Sequence, residues 1–282
     1  MKTFIAKLIG FFINLIGVIS PKLSGKVALG LFSTPRRIKI KEKQRDFLET
    51  AFLEDVDVNV NIEKPTKLTI KTYRWLGKKG TVLLAHGWES NSFRWKSLIL
   101  KLKALDYNVV ALDAPAHGYS SGRKFNAILY AECIYVIAKK FKADIVVGHS
   151  VGGMSTAFFQ NKYQMPSVKK IILLGAPSNF VGVFSRYVKI MGYSKRVAKA
   201  MDRLIFERFN YEPEHFNAAK FSETITAEGL IIHDKLDRII PYSDAEDFQS
   251  FYKNAKLIST KGYGHGLRNE EVEKHIVQFI DN

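Results

Sequence analysis

Six short apolar runs, separated by segments with helical spacing, predict an α/β architecture: a mostly parallel sheet of about eight strands with helices on both faces. The runs are TVLLA (81–85), NVVALD (108–113), DIVVGH (144–149), KIILLG (170–175), GLIIHD (229–234) and AKLIST (255–260). Strands that are apolar throughout have no solvent face, as a sheet covered on both sides requires. Two more strands precede them. DVDVNVNI, from residue 55, alternates strictly, and KLTIKTYRWLG continues the pattern, as half-exposed antiparallel partners do. Helical spacing marks Phe93–Leu105, Asn126–Phe141, Val151–Tyr163, Tyr242–Tyr252 and Glu270–Ile280.

One interval is too long for a simple crossover. Between LLGAP and GLIIHD lies a stretch rich in Phe, Tyr, Met, Lys and Arg, longer than a usual connection, which reads as an inserted helical cap. The expected organisation is therefore an N-terminal segment over 1–50, a core over 51–177 and 229–282, and a cap, or lid, over 178–228. Within the cap, Phe184 to Arg208 holds seven basic residues against two acidic ones. That is either an ordinary solvated face or a surface for lipid headgroups or an anionic substrate.

The first twenty residues, MKTFIAKLIGFFINLIGVIS, are apolar enough to be read in three ways. Thr3, Lys7, Gly10, Asn14 and Gly17 recur at steps of four and three, forming one narrow polar or small stripe on an apolar helix. Such a helix either lies in a membrane interface or docks on the protein body. A secretion signal or a full span fits less well, because GVISPKLSG offers a poor cleavage site and Lys7 and Asn14 interrupt the run. Lys2, Lys22, Lys26, Arg36, Arg37, Lys39, Lys41 and Lys43 favour an anionic membrane surface as partner of residues 1–45.

Composition narrows the chemistry. The chain has 282 residues, 46% of them hydrophobic, and a net charge of +16, which attracts polyanions without choosing between lipid and nucleic acid. The single cysteine, Cys133, excludes a disulfide framework and a multi-cysteine metal cluster. No zinc spacing, phosphate loop, aromatic-basic RNA signature or internal repeat appears, so nucleic acid is the weaker partner, and neither metal nor cofactor is expected. A cytoplasmic protein, peripheral at the inner face of a membrane, is the corresponding location.

The segment VVGHSVGGM (146–154) satisfies G-x-S-x-G between an apolar strand and a helix. A sharp strand-to-helix turn holds the serine in a strained conformation and lifts its hydroxyl clear, so Gly148 and Gly152 must stay free of side chains. The N–H of Val151, at the helix start, then suits an oxyanion. Serine also needs a base and an orienting carboxylate. GYGHG (262–266) presents His265 in an open loop after the last strand, and HDKLDRIIP (233–241) presents Asp234 and Asp237 beyond another strand end. Ligands gather at the carboxyl ends of parallel strands, so these residues share one rim.

Five motifs in order resemble the α/β-hydrolase superfamily, in particular its monoacylglycerol lipase, esterase and serine-peptidase-like branch. LLAHGWES resembles the HG-x oxyanion loop, DAPAHGYSSG the D-x-P-G-H-G-x-S loop, GHSVGG the elbow, DKLDRIIP the acid loop and GYGH the histidine loop. The likeness spans roughly residues 66 to 281, and Ala116 departs from it where glycine is usual. It implies Ser150 as nucleophile, His265 as base, and Asp237 rather than Asp234 as the acid, because Asp237 precedes Ile240-Pro241. It also implies an oxyanion hole from the amides of Trp88 and Val151, with Gly87 permitting close approach. A serine elbow implies acyl chemistry on a small-molecule ester. Transfer to another acceptor, peptide cleavage, and a non-catalytic lipid- or partner-binding role remain as alternatives.

Overall fold

The computed structural model describes residues 2–62 and 64–282, with the side chains of residues 2 and 3 outside that description, so Thr3 of the predicted stripe is not placed. Among the described residues, eight strands form one sheet: β1 (Phe52–Asn61), β2 (Pro65–Trp75), β3 (Lys79–Ala85), β4 (Tyr107–Leu112), β5 (Ala143–His149), β6 (Lys170–Leu174), β7 (Glu228–Asp234) and β8 (Ala255–Thr260). Their order is β1-β2-β4-β3-β5-β6-β7-β8. β1 and β2 pair antiparallel, as do β2 and β4, and every later pairing is parallel.

The helices are α1 (Lys2–Ile19), α2 (Pro21–Phe32), α3 (Glu42–Leu48), α4 (Lys96–Ala104), α5 (Ala127–Phe141), α6 (Val151–Tyr163), α7 (Phe180–Met191), α8 (Lys195–Phe209), α9 (Ala218–Phe221), α10 (Ser243–Phe251) and α11 (Glu270–Asp281). Successive side chains of the apolar strands alternate between the two faces of the sheet. Leu83, Val146 and Leu173 join a core with α5, α6 and the β6–β7 connection, whereas Val82, Val147 and Ile172 join a second core with α4 and α11. Burial on both faces is why β3 to β7 are largely apolar, whereas β8, at the sheet edge, leaves Lys256 and Ser259 exposed.

The N-terminus holds two helices where the sequence suggested one. Ser20 breaks the run: its Oγ accepts the Leu23 N–H at 3.3 Å, and Pro21 at the first helical position has no N–H to lose. The pair packs against α7 and α8. A Cβ on Gly10 would sit 1.7 Å from Met191 O, and one on Gly25 2.8 Å from Ala200 Cβ, so glycine sets the approach. Asn14 completes the seat, its Nδ2 donating to Gly192 O at 2.9 Å and its Oδ1 accepting from Ser194 N at 2.8 Å. Among the described residues, no helix is long and apolar enough to cross a membrane.

Candidate active site

Parallel pairing aligns Ala85 with Gly148, and Gly148 with Leu173, so the chain leaves β3, β5 and β6 along one edge. Ser150 lies at that edge, between β5 and α6, at φ +54° and ψ −127°. A non-glycine residue in this region costs about 1–3 kcal/mol and persists only where its surroundings hold it. Here the Ser150 N–H donates to Leu174 O at 2.8 Å, and its carbonyl accepts from Gly153 N at 2.9 Å. Glycine makes the turn possible. A Cβ on Gly148 would meet Gly152 O at 2.6 Å, one on Gly152 would meet Ala85 O at 2.4 Å, and one on Gly87 would meet Ser150 Cβ at 2.9 Å.

The residues singled out on three separate loops come together. Ser150 Oγ lies 3.0 Å from His265 Nε2, and His265 Nδ1 lies 2.7 Å from Asp237 Oδ2. A carboxylate only accepts, so Nδ1 carries the proton and Nε2 presents its lone pair to the serine hydroxyl. Burial opposes a charge on Asp237, yet hydrogen bonds from His233, His265 and the amides of Ile239 and Ile240 outweigh it and hold the carboxyl well below its ordinary range. Asp234 does not reach His265. It accepts from Leu236 N at 2.9 Å, Thr260 Oγ1 at 2.9 Å and Tyr263 N at 2.8 Å, joining the acid loop to the histidine loop.

The backbone beside Ser150 supplies donors. Among the described residues, neither the Trp88 nor the Val151 N–H has a protein partner in a hydrogen bond. Val151 is the first residue of α6, where the partial positive charge of the helix end gathers. The Trp88 ring, 38% exposed, leans edge-on against His117 and Phe125. Ser150 itself is only 8% exposed.

Three histidines of the motif loops are spent on bracing. His86 Nε2 accepts from Ala114 N at 2.9 Å while Nδ1 meets Gly87 O at 2.7 Å; His117 Nε2 accepts from Glu89 N at 3.0 Å. His149 Nε2 donates to His265 O at 2.8 Å, holding the loop that carries the ring facing Ser150. Burial pushes the pKa of all three down, His86 and His149 furthest, so they stay neutral.

Sequence reasoning passed over other contacts. His233 Nε2 sits 3.4 Å from Asp237 Oδ2 and donates to Ile240 O at 3.0 Å; its place four residues before Asp237 was the available signal. Arg94 donates to Gly266 O at 2.9 Å, next to His265, and its burial, with Arg268 nearby, lowers its pKa to about 9. Arg36 pairs with Glu89 in the HGWE loop, a contact across 53 residues that no local pattern announces. Among the described residues, no group of three or more His, Cys, Asp or Glu side chains is arranged to hold a metal ion.

A sheet of this order with a strained serine after its central parallel strand defines an α/β-hydrolase fold. A family model for that fold matches residues 80–191. Among characterised proteins, the chain is 26% identical over 261 residues to a non-heme haloperoxidase of Rhodococcus erythropolis, covering 74% of this chain and 95% of that one. It is 23% identical over 252 residues to a bifunctional esterase/perhydrolase of Acinetobacter calcoaceticus, covering 71% and 91%. Among solved structures, an esterase of Pyrococcus furiosus aligns with a TM-score of 0.64 at 18% identity, over 88% of this chain and 97% of that one. The chain has the α/β-hydrolase fold, and the family model and the relatives that it matches lie in that superfamily.

Proposed function

We propose that the protein is a cofactor-independent serine hydrolase that cleaves a lipophilic carboxylic ester through an acyl-enzyme intermediate. The observation that carries this reading is the continuous hydrogen-bonded line from Ser150 Oγ through His265 to Asp237. Ser150 Oγ attacks the acyl carbon as its proton passes to His265 Nε2, and the carbonyl oxygen gains the negative charge. The N–H groups of Trp88 and Val151 receive that charge, and Asp237 stabilises the imidazolium. Collapse breaks the ester C–O bond while His265 returns the proton to the departing alkoxide. Water then enters, gives a proton to His265 and releases the acid, with Ser150 regaining its hydrogen.

Residues 178–228 act in this scheme as the lid over the site, and their aromatic side chains favour a lipophilic acyl group. An anionic membrane at the inner face of the cell, met through residues 1–45, is the partner surface. The esterase and bifunctional esterase/perhydrolase among its relatives support ester chemistry. A fluorophosphonate probe tests the reading: labelling of the native protein, absent from Ser150→Ala, together with turnover of p-nitrophenyl esters of graded length, is expected. A folded native protein that neither labels nor turns over any of these esters would overturn it.

A further inference from the structure

Twelve of the twenty-four large apolar side chains exposed among the described residues lie on α1 and α2, two helices that together make up a small part of the chain. Surface helices of water-soluble domains turn polar residues outward. This pair does the reverse. Gly10, Gly17, Gly25 and Asn14 face α7, α8 and the turn between them, while Phe4, Leu8, Phe11, Phe12, Leu15 and Ile19 face away, Ile19 at 89% exposure. On α2, Leu23, Val27 and Leu31 continue the exposed surface at steps of four. The orientation is fixed, because the close glycine contacts and both ends of the Asn14 amide leave α1 no freedom to roll its apolar side inward.

We infer that the outward face of α1 and α2 inserts into one leaflet of an anionic bilayer, as a plate lying in the interface. Charge favours this occupant. No Asp or Glu occurs before Glu42, whereas Lys7, Lys22 and Lys26 are exposed on the pair itself. Lys22 and Lys26 are exposed beside Leu23 and Val27, at the border of the apolar surface, where flexible stems let ammonium groups reach headgroups. Arg37, Lys39, Lys41 and Lys43 follow α2 at once. A second copy of the chain fits poorly, since a symmetric pairing through this face would set these lysines against their own counterparts with no carboxylate on either helix. A span fits no better: Asn14 is committed to the α7–α8 turn, and no described helix is long and apolar enough.

Insertion stands on this geometry alone. Its consequence rests on the ester-hydrolase reading: the ester would be one dissolved in the bilayer, delivered beside the helices that this reading makes the lid. Phe32, at the end of α2, packs on Phe180 and Tyr187 of α7 at ring-centroid distances of 5.9 and 4.9 Å, so the plate and these helices are one packed unit.

Flotation of the full chain with vesicles of equimolar phosphatidylglycerol and phosphatidylcholine tests the inference, with the triple variant Phe11→Ser, Phe12→Ser, Leu15→Ser as comparison. None of the three touches the glycine seat, so the variant should keep the native near-ultraviolet circular dichroism and any turnover of a water-soluble ester. The native protein is expected to float. Each inserted large apolar side chain is worth about tenfold in partitioning, so the folded variant should lose more than about a hundredfold. Native protein left at the bottom of the gradient, or a folded variant that floats equally well, overturns the inference. So does a native dimer that the variant loses, seen without flotation, since the occupant would then be a second copy. Should the triple substitution unfold the chain, Phe12→Trp replaces it, and the inference requires an emission blue shift on adding the vesicles. Flotation without ester turnover would remove the hydrolase reading and leave insertion intact; turnover without flotation would do the opposite.

Discussion

The rim around Ser150 and the outer face of α1 and α2 treat polar atoms in opposite ways. At the rim, polar side chains are drawn inward and nearly all are spent: Asp237 and Asp234 are buried carboxylates with three or more donors each, and His86, His117 and His149 hold neighbouring loops. On α1 the polar group turned to the protein body, the half-buried Asn14, is also spent, but the apolar surface is the part left open to water. Both regions rely on glycine for close approach, Gly148 and Gly152 in one and Gly10 and Gly25 in the other. The difference lies in what the close approach produces. At the rim it exposes a strained hydroxyl to a base; at the N-terminus it fixes a helix with its apolar side outward. Glycine spacing identifies tight contact, and only the neighbouring side chains decide whether that contact serves chemistry or orientation.

The largest effect should come from breaking the rim. Ser150→Ala or His265→Asn is expected to lower kcat for an ester by about 10⁴-fold or more, because either removes the serine–imidazole unit that acts as one. Thermal stability should change far less, and Ser150→Ala, which keeps the turn but sheds the hydroxyl, is the cleaner of the two. Kinetics with a p-nitrophenyl ester, alongside a melting curve, separate the two readouts. A Ser150→Ala variant that keeps native kcat would detach the hydrogen-bonded line from the activity.

Breaking the other region should cost stability instead of chemistry. Gly10→Leu forces a side chain where a Cβ alone would lie 1.7 Å from Met191 O, a backbone atom that cannot swing away. Overpacking of this kind costs about 1–3 kcal/mol, read as a lowered midpoint in urea unfolding. Ser150 stays in place, so the turnover of a short, water-soluble ester by the folded fraction should hold to within about threefold. An unshifted midpoint would show that α1 is not seated as described.

Much of the rim could be read in the sequence because its determinants are local. A strand, a turn and a helix occupy consecutive residues from Asp144 to Tyr163, and GHSVGG carries its own steric reason. Asp237 and His265 could be singled out because each follows a strand end, where the sheet order puts them beside Ser150. The N-terminal helix was harder. Periodicity showed the stripe of Gly10, Asn14 and Gly17, yet a stripe states which residues share a face and not what that face meets. Met191 and Gly192, the partners that answer it, lie far along the chain. The Arg36–Glu89 pair escaped for the same reason, since it joins segments 53 residues apart, whereas His233 meets Asp237 only four residues on.

A pH series sharpens the account of the rim at intermediate scale. His86 and His149 have folded pKa values well below the 6.5 of the free side chain, chiefly through burial and then through nearby positive groups. Above 6.5 both states are neutral and nothing is lost. Below it the unfolded chain binds protons that the folded chain refuses, so stability falls as pH drops from 6.5 towards the folded values, by up to about 1.4 kcal/mol per pH unit for each histidine. Asp237 and Asp234, depressed below 3.8, take no part until the pH falls past that value. Asp113, raised by its burial, works in the opposite sense, so the whole-protein slope is mixed. Comparison with His149→Phe isolates one contribution: the variant's stability should fall less steeply between pH 6.5 and 5. Parallel slopes would mean that His149 is protonated in the folded state.

The smallest expected effect concerns the residue where the chain departs from the α/β-hydrolase motif that it resembles. Ala116 sits at φ +64°, in the left-handed region that favours glycine, with its N–H donating to Ser121 O at 2.8 Å. The loop is held there by Asp113, which accepts from Ser92, Tyr73 and Tyr119, so Ala116 cannot relax without disturbing a buried carboxylate. Ala116→Gly removes the Cβ conflict but adds freedom to the unfolded chain, and the two partly offset one another. A net gain of no more than about 1 kcal/mol is expected, as a small rise in melting temperature. Ester turnover should be unchanged, because His86 and His117 fix the neighbouring HGW loop through the backbone N–H groups of Ala114 and Glu89 and not through the Ala116 side chain. A loss of stability on introducing glycine would show that the loop chooses its left-handed residue for packing rather than tolerating it.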